Sequence, residues 1–556
     1  MRALLKSQIL KSVWQFGQPE QSFHRSHRTR YDALNYYPLT ALRTKQMNFC
    51  SFNPALWWIN GRGGEVRWSF EELGIRSRKV ANLLLDQCAL RRGDRILVVL
   101  PRIPEWWLLT VACIRTGIIL IPGISQLTAK DMQYRLQASK AKCIVTTDAL
   151  APAVDSIANE CPFLQTKLLV SSGEGERDGW LSFNALFKDA AASHSCAETK
   201  LHDPMMIYFT SGTSGAPKMA ELSQGSLGFR SILGKRLWLD LTPSDIMWST
   251  VDTGWIVAAL GTVFGPWVFG SCIFIHNLEQ APWPAVLLLI IRVKLLLMRM
   301  PQNTSLPILK GLSFSSSHCI SGGEPLNPEV AEQWKNKTGL AIHEVYGQTE
   351  AGIICSTSKQ MKVKPGSMGK AFPPYDVQII DEEGNILPPG QDGEIAIRVK
   401  PKRPLGLFSR YVDNPEKTAA TERGEFYVTG DRGVMDQDRY IRFVGRADDL
   451  MTSSGYRIGP FDIENALLEH PAVAEAAAVS SPDALRGEVV KAFVVLSPTY
   501  TLKNKEDLTV ELQEHVKKVT APYKYPRKME FVQQLPKTTT GKIKRNELRD
   551  REWGRI

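Results

Sequence analysis

The segment Tyr208–Lys218, YFTSGTSGAPK, combines two glycines, four Ser or Thr hydroxyls and a lysine in one short stretch. Glycines let a backbone approach a ligand closely, and successive N–H groups in such a turn form an anion-binding nest. The lysine follows Pro217 instead of the second glycine, so the segment does not fit the Walker A pattern. The sequence predicts a phosphate-binding loop of a different design, with a Ser/Gly-rich surface loop as the alternative.

Upstream of this loop, short apolar strands alternate with helical patterns. Such alternation predicts parallel strands joined by crossover helices, and hence α/β layers. The strands are expected at 95–100, 117–122 and 143–148, and the helices near 105–115 and 130–139.

Downstream of the loop the pattern changes twice. From about Asp376 the sequence predicts a small β unit. Beyond Gly445 it predicts a helix, two strands, a second helix and a lysine-rich tail. We therefore expect a leader over 1–46, a large N-terminal domain over 47–445 and a small C-terminal domain over 446–556.

Positive charge is concentrated at the N-terminus. The net charge is +11, and the first 46 residues hold eight Lys or Arg against Glu20 and Asp32. The rest of the chain is only weakly basic, which argues against a nucleic-acid partner. Leu4, Ile9 and Val13 recur at near-helical spacing among basic residues, as in a mitochondrial presequence, so we expect the mitochondrial matrix. A disordered basic tail is the alternative.

The apolar segment Ile256–Ile275 contains twenty uncharged residues and is long enough to span a membrane. Its central Gly265–Pro266 pair favours a buried helix followed by a strand, so no membrane span is expected. The nine cysteines are scattered without a C-x-x-C pair, which indicates a reducing compartment and no structural metal.

Three further motifs carry groups suited to a nucleotide. HEVYGQTE (343–350) offers a tyrosine, a glutamine and the carboxylate of Glu350; YVTGDRG (427–433) offers Asp431; LPKTTTGKIKR (535–545) offers Lys542. Carboxylate oxygens bind Mg²⁺ and accept hydrogen bonds from ribose hydroxyls. Taken singly, each motif also has an alternative without a function. The first could be a turn before a helix, the second a solvated hairpin, and the third an exposed basic tail.

Together and in this order, the motifs resemble the adenylate-forming superfamily, and most closely its mitochondrial medium-chain acyl-CoA synthetase family. The resemblance runs from about Asn48 to the C-terminus and includes "NPALWWINGRG", "YFTSGTSGAPKMAE", "DTGW", "YGQTE", "VTGDRG" and "SSGYRIGPFDIE". It implies an α/β fold with a large multi-layer N-terminal domain, containing parallel sheets and a small β unit, and a small mobile α+β C-terminal domain.

The resemblance also implies a reaction in two steps. A carboxylate of a medium-chain or aromatic acid attacks the α-phosphate of ATP, and the thiol of coenzyme A then attacks the acyl-adenylate. Lys542 would be the catalytic residue, Asp431 would hold the ribose, Arg446 would contact the nucleotide, and Thr213 and Glu350 would bind Mg²⁺. The other ATP-binding positions would be Thr210, Ser211, Gly212, Ser214, Gly215, Ala216, Pro217, Lys218, Glu344, Val345, Tyr346, Gly347, Gln348 and Thr349.

In the second step, the family's C-terminal domain rotates about a hinge that corresponds to Asp448. Arg457 would then contact the adenylate. The residues implied in binding CoA are Ser454, Gly455, Tyr456, Arg486 and Lys517.

Two segments, 46–54 and 281–318, depart from the family pattern, and Arg439 replaces a turn glycine. These departures keep a second reading open, a catalytically weak paralogue that binds nucleotide or CoA with an impaired acyl pocket. A third reading is an adenylating enzyme that oxidises its acyl group or passes it to a carrier protein.

Overall fold

The computed structural model describes residues 54–60, 63–171, 173, 176–210, 217–234, 241–277, 295–300, 318–323, 325–326, 328–358, 360–453, 456–484, 486–501, 504–538 and 542–555. The predicted presequence therefore lies outside the described residues. So do nearly all of the 46–54 join and, apart from Leu295–Met300 and His318, the 281–318 segment.

An eight-stranded sheet contains the strands predicted upstream of the loop. Strand Arg95–Val99 pairs in parallel with Ile119–Gly123 and with Cys143–Thr147, which confirms the α/β prediction. Across the sheet, the strands are Arg410–Tyr411, Lys218–Ser223, Pro204–Thr210, Ile119–Gly123, Arg95–Val99, Cys143–Thr147, Thr166–Val170 and Leu181–Ser182.

A nine-stranded sheet forms the second layer. Its order is Lys370–Ala371, Gly352–Ser356, Ile342–Gln348, His318–Gly322, Leu295–Met300, Ile246–Ser249, Cys272–His276, Leu56–Ile59 and Glu65–Trp68. The helical turns over Ile256–Phe269 precede strand Cys272–His276, as predicted for the long apolar segment. No helix in the described part of the chain is both long and apolar enough to cross a bilayer.

Helix Pro104–Thr116 is covered by protein on nearly every side. Trp106 and Trp107 are among its fully buried side chains, and they share one apolar core with Phe264 and Trp267 of the nine-stranded sheet's helical turns. The Trp107 indole N–H donates to Thr262 Oγ1 at 3.0 Å, so the buried polar atom of this ring has a partner. The residues that join the two layers are thus large aromatics, although the Trp106 indole N–H is buried without a hydrogen-bond partner among the described residues.

The other helices cover the sheets and build the C-terminal part. In chain order they are Phe70–Asn82, Ala129–Ser139, Ala151–Asp155, Phe183–Asp189, Gln224–Gly234, Pro328–Thr338, Pro415–Ala419, Pro460–Leu468, Lys505–Val519 and Arg545–Glu552, with shorter turns at Leu83–Gln87, Ala158–Glu160, Pro498–Tyr500 and Pro522–Lys524.

The predicted small β unit is a five-stranded sheet. It consists of Val377–Ile380, Asp392–Arg398, Phe426–Met435 and Glu422–Arg423, with Ile441–Arg446 paired to Phe426–Met435. Beyond it, the C-terminal part has the two-stranded sheet Met451–Ser453 and Tyr456–Ile458, and the three-stranded sheet Val473–Asp483, Gly487–Leu496 and Lys528–Phe531.

This C-terminal part has an apolar core of its own. Ile463 and Leu467 of one helix pack with Leu508 and Leu512 of another and with Met451. The large α/β region and the smaller α+β region confirm the predicted fold class. The boundary at residue 446 stays a prediction.

Arg439, which replaces a turn glycine of the family pattern, adopts the left-handed conformation that favours glycine. Its φ is +66°, and its N–H donates to the Asp436 carbonyl at 2.9 Å. A side chain in this region costs about 1 kcal/mol.

We therefore predict that Arg439→Gly raises the thermal unfolding midpoint by about 1–2 °C. Gln437→Gly in the same turn is the control: its φ is not positive, so added chain entropy should lower the midpoint. A lower midpoint for both variants would contradict the strain.

Candidate active site

The motifs converge on one cleft between the large N-terminal region and the C-terminal part. Its volume is about 1760 Å³. The small β unit and both large sheets line one side, and helices Pro460–Leu468 and Arg545–Glu552 line the other. Segments far apart in sequence thus face one cleft. The predicted site residues on its wall are Thr210, Pro217, Lys218, Glu344, Val345, Tyr346, Gly347, Gln348, Thr349, Glu350, Asp431, Arg446 and Lys542.

The predicted phosphate loop connects two paired strands. Thr210 ends strand Pro204–Thr210 and lies opposite Lys218, the first residue of the antiparallel strand Lys218–Ser223. Tyr134 donates to the Pro217 carbonyl at 3.0 Å and so fixes one end of the loop. The loop itself lies outside the described residues, namely Ser211, Gly212, Thr213, Ser214, Gly215 and Ala216.

The YGQTE motif begins in strand Ile342–Gln348 and turns sharply after it. A Cβ at Gly347 would collide with the carbonyl oxygen of Gly352 on the next strand, so only glycine allows the two strands to approach here. Val345, on the same strand, packs with Met247 and Phe372. The turn therefore presents its polar side chains to the cleft from a rigid apolar base.

Asp431 is a buried carboxylate that the YGQTE motif holds in place. Its Oδ2 accepts hydrogen bonds from Tyr346 Oη at 2.6 Å and from Gln348 Nε2 at 3.0 Å. Its Oδ1 is buried without a hydrogen bond and lies 3.5 Å from Arg446 Nε. Burial raises the pKa of Asp431, and the charge of Arg446 opposes that shift. The carboxylate thus has one oxygen that accepts no hydrogen bond from the described residues.

Glu350 lies at the end of the same turn and is also buried. Its Oε1 accepts from Tyr411 Oη at 2.7 Å and from Thr210 Oγ1 at 3.3 Å. Lys218 Nζ lies 4.7 Å from the centre of the Tyr411 ring, and burial lowers the pKa of Lys218 while the charge of Glu350 opposes the shift. Both ends of the phosphate loop are therefore adjacent to this carboxylate.

Lys542 reaches the cleft from the opposite side. Its Nζ lies 5.5 Å from the centre of the Trp255 ring, within the range of a cation–π contact. Its charge also opposes the upward pKa shift of Asp431, since the two groups lie close enough to interact. The C-terminal tail thus carries a cation to the carboxylates of the N-terminal region.

The predicted hinge residue, Asp448, joins these two parts of the site. Its Oδ1 lies 3.5 Å from Arg446 Nε, and its carbonyl accepts from Arg549 Nη1 at 2.7 Å. Arg549 also lies 3.4 Å from Asp449 Oδ1. Helix Arg545–Glu552 is therefore tied to the chain immediately after Arg446.

The predicted CoA-binding residues are more dispersed. Ser454 and Gly455 lie outside the described residues, and Tyr456 and Arg457 lie in strand Tyr456–Ile458, where Arg457 is opposite Thr452. Arg486 is exposed, and Lys517 pairs with Glu514 at 2.6 Å and lies over the Tyr525 ring. The wall of the cleft includes neither Arg486 nor Lys517.

Sequence reasoning missed three residues of the site. Tyr411 and Arg230 contact Glu350, and Trp255 contacts Lys542. Trp255 belongs to the DTGW stretch that contributed to the resemblance, but no role was assigned to it. Tyr411 and Arg230 stand in no local motif, so only the folded chain brings them together with Glu350.

Comparison with known proteins decides the family. Residues 51–411 match the AMP-binding enzyme family, and residues 462–542 match the AMP-binding enzyme C-terminal domain. The chain belongs to the AMP-binding enzyme family. Within this family, it is 55% identical to human "Acyl-coenzyme A synthetase ACSM4, mitochondrial" over 585 residues, which cover 100% of both chains. It is 57% identical to human "Acyl-coenzyme A synthetase ACSM3, mitochondrial" over 511 residues, 91% of this chain and 86% of the relative. The predicted membership in the mitochondrial acyl-CoA synthetase family is confirmed.

Solved structures of AMP-binding enzymes share the fold. The anthranilate CoA ligase AuaEII, in complex with anthranoyl-AMP, is 27% identical with a TM-score of 0.78, covering 93% of this chain and 97% of that one. A benzoate CoA ligase from Burkholderia xenovorans is 25% identical with a TM-score of 0.74, covering 90% and 97%.

Glu344 gives this AMP-binding enzyme a testable pH dependence. Burial raises the pKa of Glu344 to about 8, although the Leu326 N–H, 3.4 Å from Oε1, opposes the shift. The folded state therefore binds this proton more tightly than the unfolded chain, and Glu344 reduces stability as pH rises from about 4.5 towards 8. Glu344→Gln should raise the thermal midpoint above that of the wild type by a margin that grows from pH 5 to pH 8.

The matched control is Glu332→Gln, on the exposed side of helix Pro328–Thr338. It should show no growing margin when thermal unfolding is followed from pH 5 to pH 9. A difference between Glu344→Gln and wild type that stays constant over this range would contradict the buried-carboxyl account.

Proposed function

We propose that this chain is an ATP-dependent, AMP-forming acyl-CoA synthetase that activates medium-chain fatty or aromatic carboxylic acids through an acyl-adenylate. The main support for this function is that Lys542, from the C-terminal tail, lies in the same cleft as Asp431 and Glu350. The positive charge of Lys542 suits the first step, in which two anionic reactants must meet, and the two carboxylates suit ribose hydroxyls and Mg²⁺. The names of the acyl-CoA synthetase relatives and of the aromatic acid–CoA ligases support this function.

In the first step, a carboxylate oxygen of the acid forms a bond to the α-phosphorus, and the bond from that phosphorus to pyrophosphate breaks. Lys542 neutralises charge on both approaching groups, while the loop 210–218 holds the β- and γ-phosphates through N–H groups, hydroxyls and Lys218. Catalysis of this kind depends on positioning and on charge stabilisation more than on covalent chemistry. Lys218 lies in the N-terminal region and Lys542 in the C-terminal tail, so one lysine can hold the β- and γ-phosphates while the other acts at the α-phosphate.

The ribose site is proposed at Asp431. Tyr346 and Gln348 occupy Oδ2, which fixes the carboxylate and leaves Oδ1 to accept a ribose hydroxyl. Arg446, 3.5 Å from Oδ1, would contact the nucleotide beside it. The segment 344–349 would flank the adenine and the α-phosphate.

Mg²⁺ is proposed to bind at Glu350, with Thr213 as a second ligand. A carboxylate is an oxygen donor of the kind that Mg²⁺ prefers, so Glu350 fits the ion, while Thr213 lies outside the described residues. When bound, the ion would supply positive charge to the phosphate oxygens. Tyr411 and Thr210 orient the Glu350 carboxylate for that role through their hydroxyl groups.

The second step requires a different arrangement of the C-terminal part. We propose that residues 446–556 rotate about Asp448, withdrawing Lys542 and presenting Ser454, Gly455 and Tyr456 to the CoA arm. Such hinged closure lets one cleft serve two reactions. Rotation would break contacts between the two parts, such as the 3.3 Å pair of Arg442 with Asp462 and the edge-to-face contact of Phe443 with Phe461. Arg457 would then contact the adenylate, and Arg486 and Lys517 would bind the phosphates of CoA.

The relatives are named mitochondrial, and the N-terminal charge pattern supports the matrix as the compartment. The comparisons give no support to the second reading, a catalytically weak paralogue. A weak paralogue would nevertheless differ in one measurable respect, since it would bind ATP without turnover.

A substrate panel tests the proposed reaction. With ATP, Mg²⁺, CoA and straight-chain acids of four to twelve carbons or benzoate, we expect the purified protein to release AMP and form a thioester with at least one acid. The assay measures AMP and acyl-CoA by chromatography. ATP binding without turnover across the whole panel would support the weak paralogue instead.

A substitution at Lys542 separates the two half-reactions. Lys542→Ala should lower acyl-adenylate formation by about 10²–10³-fold, because a charge-stabilising group is lost, and should spare thioester formation from pre-made acyl-adenylate. Lys505→Ala, on the exposed start of helix Lys505–Val519, is the control and should alter neither rate. Equal losses in both half-reactions of Lys542→Ala would refute the role given to this lysine.

A further inference from the structure

The guanidinium of Arg230 lies buried beneath the cleft and donates to three backbone carbonyls. Its Nε donates to Gly406 at 2.8 Å, and its Nη1 and Nη2 donate to Thr349 and Glu350, each at 3.0 Å. Arg230 belongs to helix Gln224–Gly234, which follows the strand that begins at Lys218. One side chain thus joins this helix to two distant segments of the chain.

The three carbonyls belong to the two segments that position the Glu350 carboxylate. Thr349 and Glu350 form the turn after strand Ile342–Gln348, and Gly406 begins the segment that leads to Tyr411. The Glu350 carbonyl also accepts from the Phe408 N–H at 2.6 Å, which binds these two segments directly to each other. Tyr411 then donates to Glu350 Oε1 at 2.7 Å.

A buried guanidinium that donates to several carbonyls holds them in fixed relative positions. The rigid fork of the guanidinium fixes the directions of several N–H groups at once, which a lysine ammonium does not do. Gly352 leaves room for this fork, because a Cβ there would lie 3.0 Å from Arg230 Cδ and Nε. The arginine therefore sets the relative position of two backbone segments.

We propose that Arg230 is a positioning residue that aligns the Glu350 carboxylate for Mg²⁺ by holding both the backbone of Glu350 and the segment that carries Tyr411. This inference rests on the proposed function, in which Glu350 binds the ion. Arg230 fixes the main chain of the ligand, and Tyr411 and Thr210 fix its carboxylate. Loss of Arg230 then weakens metal binding without removing any metal ligand.

The test uses Arg230→Met and Arg230→Lys in the full-length enzyme. We expect the Mg²⁺ concentration for half-maximal adenylate formation to rise about tenfold in Arg230→Met and less in Arg230→Lys, which keeps the charge but loses the fork. KM values for the acid and for CoA should stay unchanged, as should thioester formation from pre-made acyl-adenylate.

A binding measurement gives a readout that does not depend on turnover. Calorimetric titration with ATP, in Mg²⁺ and separately in EDTA, measures how much the ion strengthens ATP binding. That gain should shrink in Arg230→Met, with affinity in EDTA close to wild type.

Ser226→Ala is the matched control. Ser226 lies on the same helix and its Oγ donates to the same Gly406 carbonyl at 3.3 Å, but its hydrogen bonds join it to Gly406 and Ser223 and not to Thr349 or Glu350. Its Mg²⁺ dependence should equal that of the wild type.

An unchanged Mg²⁺ requirement in both Arg230 variants overturns the inference, as does a uniform fall of all rates with that requirement unchanged. If Arg230→Met does not fold, Arg230→Lys decides by the same criterion. Glu350→Gln distinguishes failure of the proposed metal site from failure of the positioning role of Arg230. If Glu350→Gln itself leaves the Mg²⁺ requirement unchanged, the proposed metal site fails; if only the Arg230 variants do so, the positioning role alone fails.

Discussion

Arg446 lies between two carboxylates, and the organisation of the site depends on this arrangement. Its Nε lies 3.5 Å from Asp431 in the cleft and 3.5 Å from Asp448 at the start of the C-terminal part. The same side chain therefore contacts the proposed ribose acceptor and the proposed hinge. A nucleotide that engages Asp431 and Arg446 would change the balance of charge at Asp448, and this guanidinium would then link binding to the proposed domain movement.

The remaining groups of the cleft follow a common pattern. The two carboxylates Asp431 and Glu350 accept hydrogen bonds from neutral donors, including Tyr346 and Tyr411, while Lys218 and Lys542 lie against aromatic rings. Aromatic faces hold a cation more weakly than a carboxylate does when they are partly exposed. In the proposed first step, each lysine would move from its ring to a phosphate or carboxylate oxygen.

The sequence predicted the layers of this fold because strands such as Arg95–Val99 and helices such as Pro104–Thr116 are encoded by local patterns of apolar residues. It also predicted the motif residues that face the cleft. It did not predict Tyr411 or Arg230, since each meets Glu350 only through long-range packing, 61 and 120 residues away in the chain. Local patterns encode elements and motifs, whereas the supports beneath a site arise from tertiary contacts between segments without a pattern of their own.

The central claim is that the cleft joins an acid to AMP before CoA takes part. Acid-dependent exchange of labelled pyrophosphate into ATP, measured with Mg²⁺ in the absence of CoA, tests this order directly. The account predicts exchange that requires the carboxylic acid and proceeds without CoA, because pyrophosphate leaves in the first step and can return to the acyl-adenylate. Thioester formation from the same acid with no exchange unless CoA is present would contradict it.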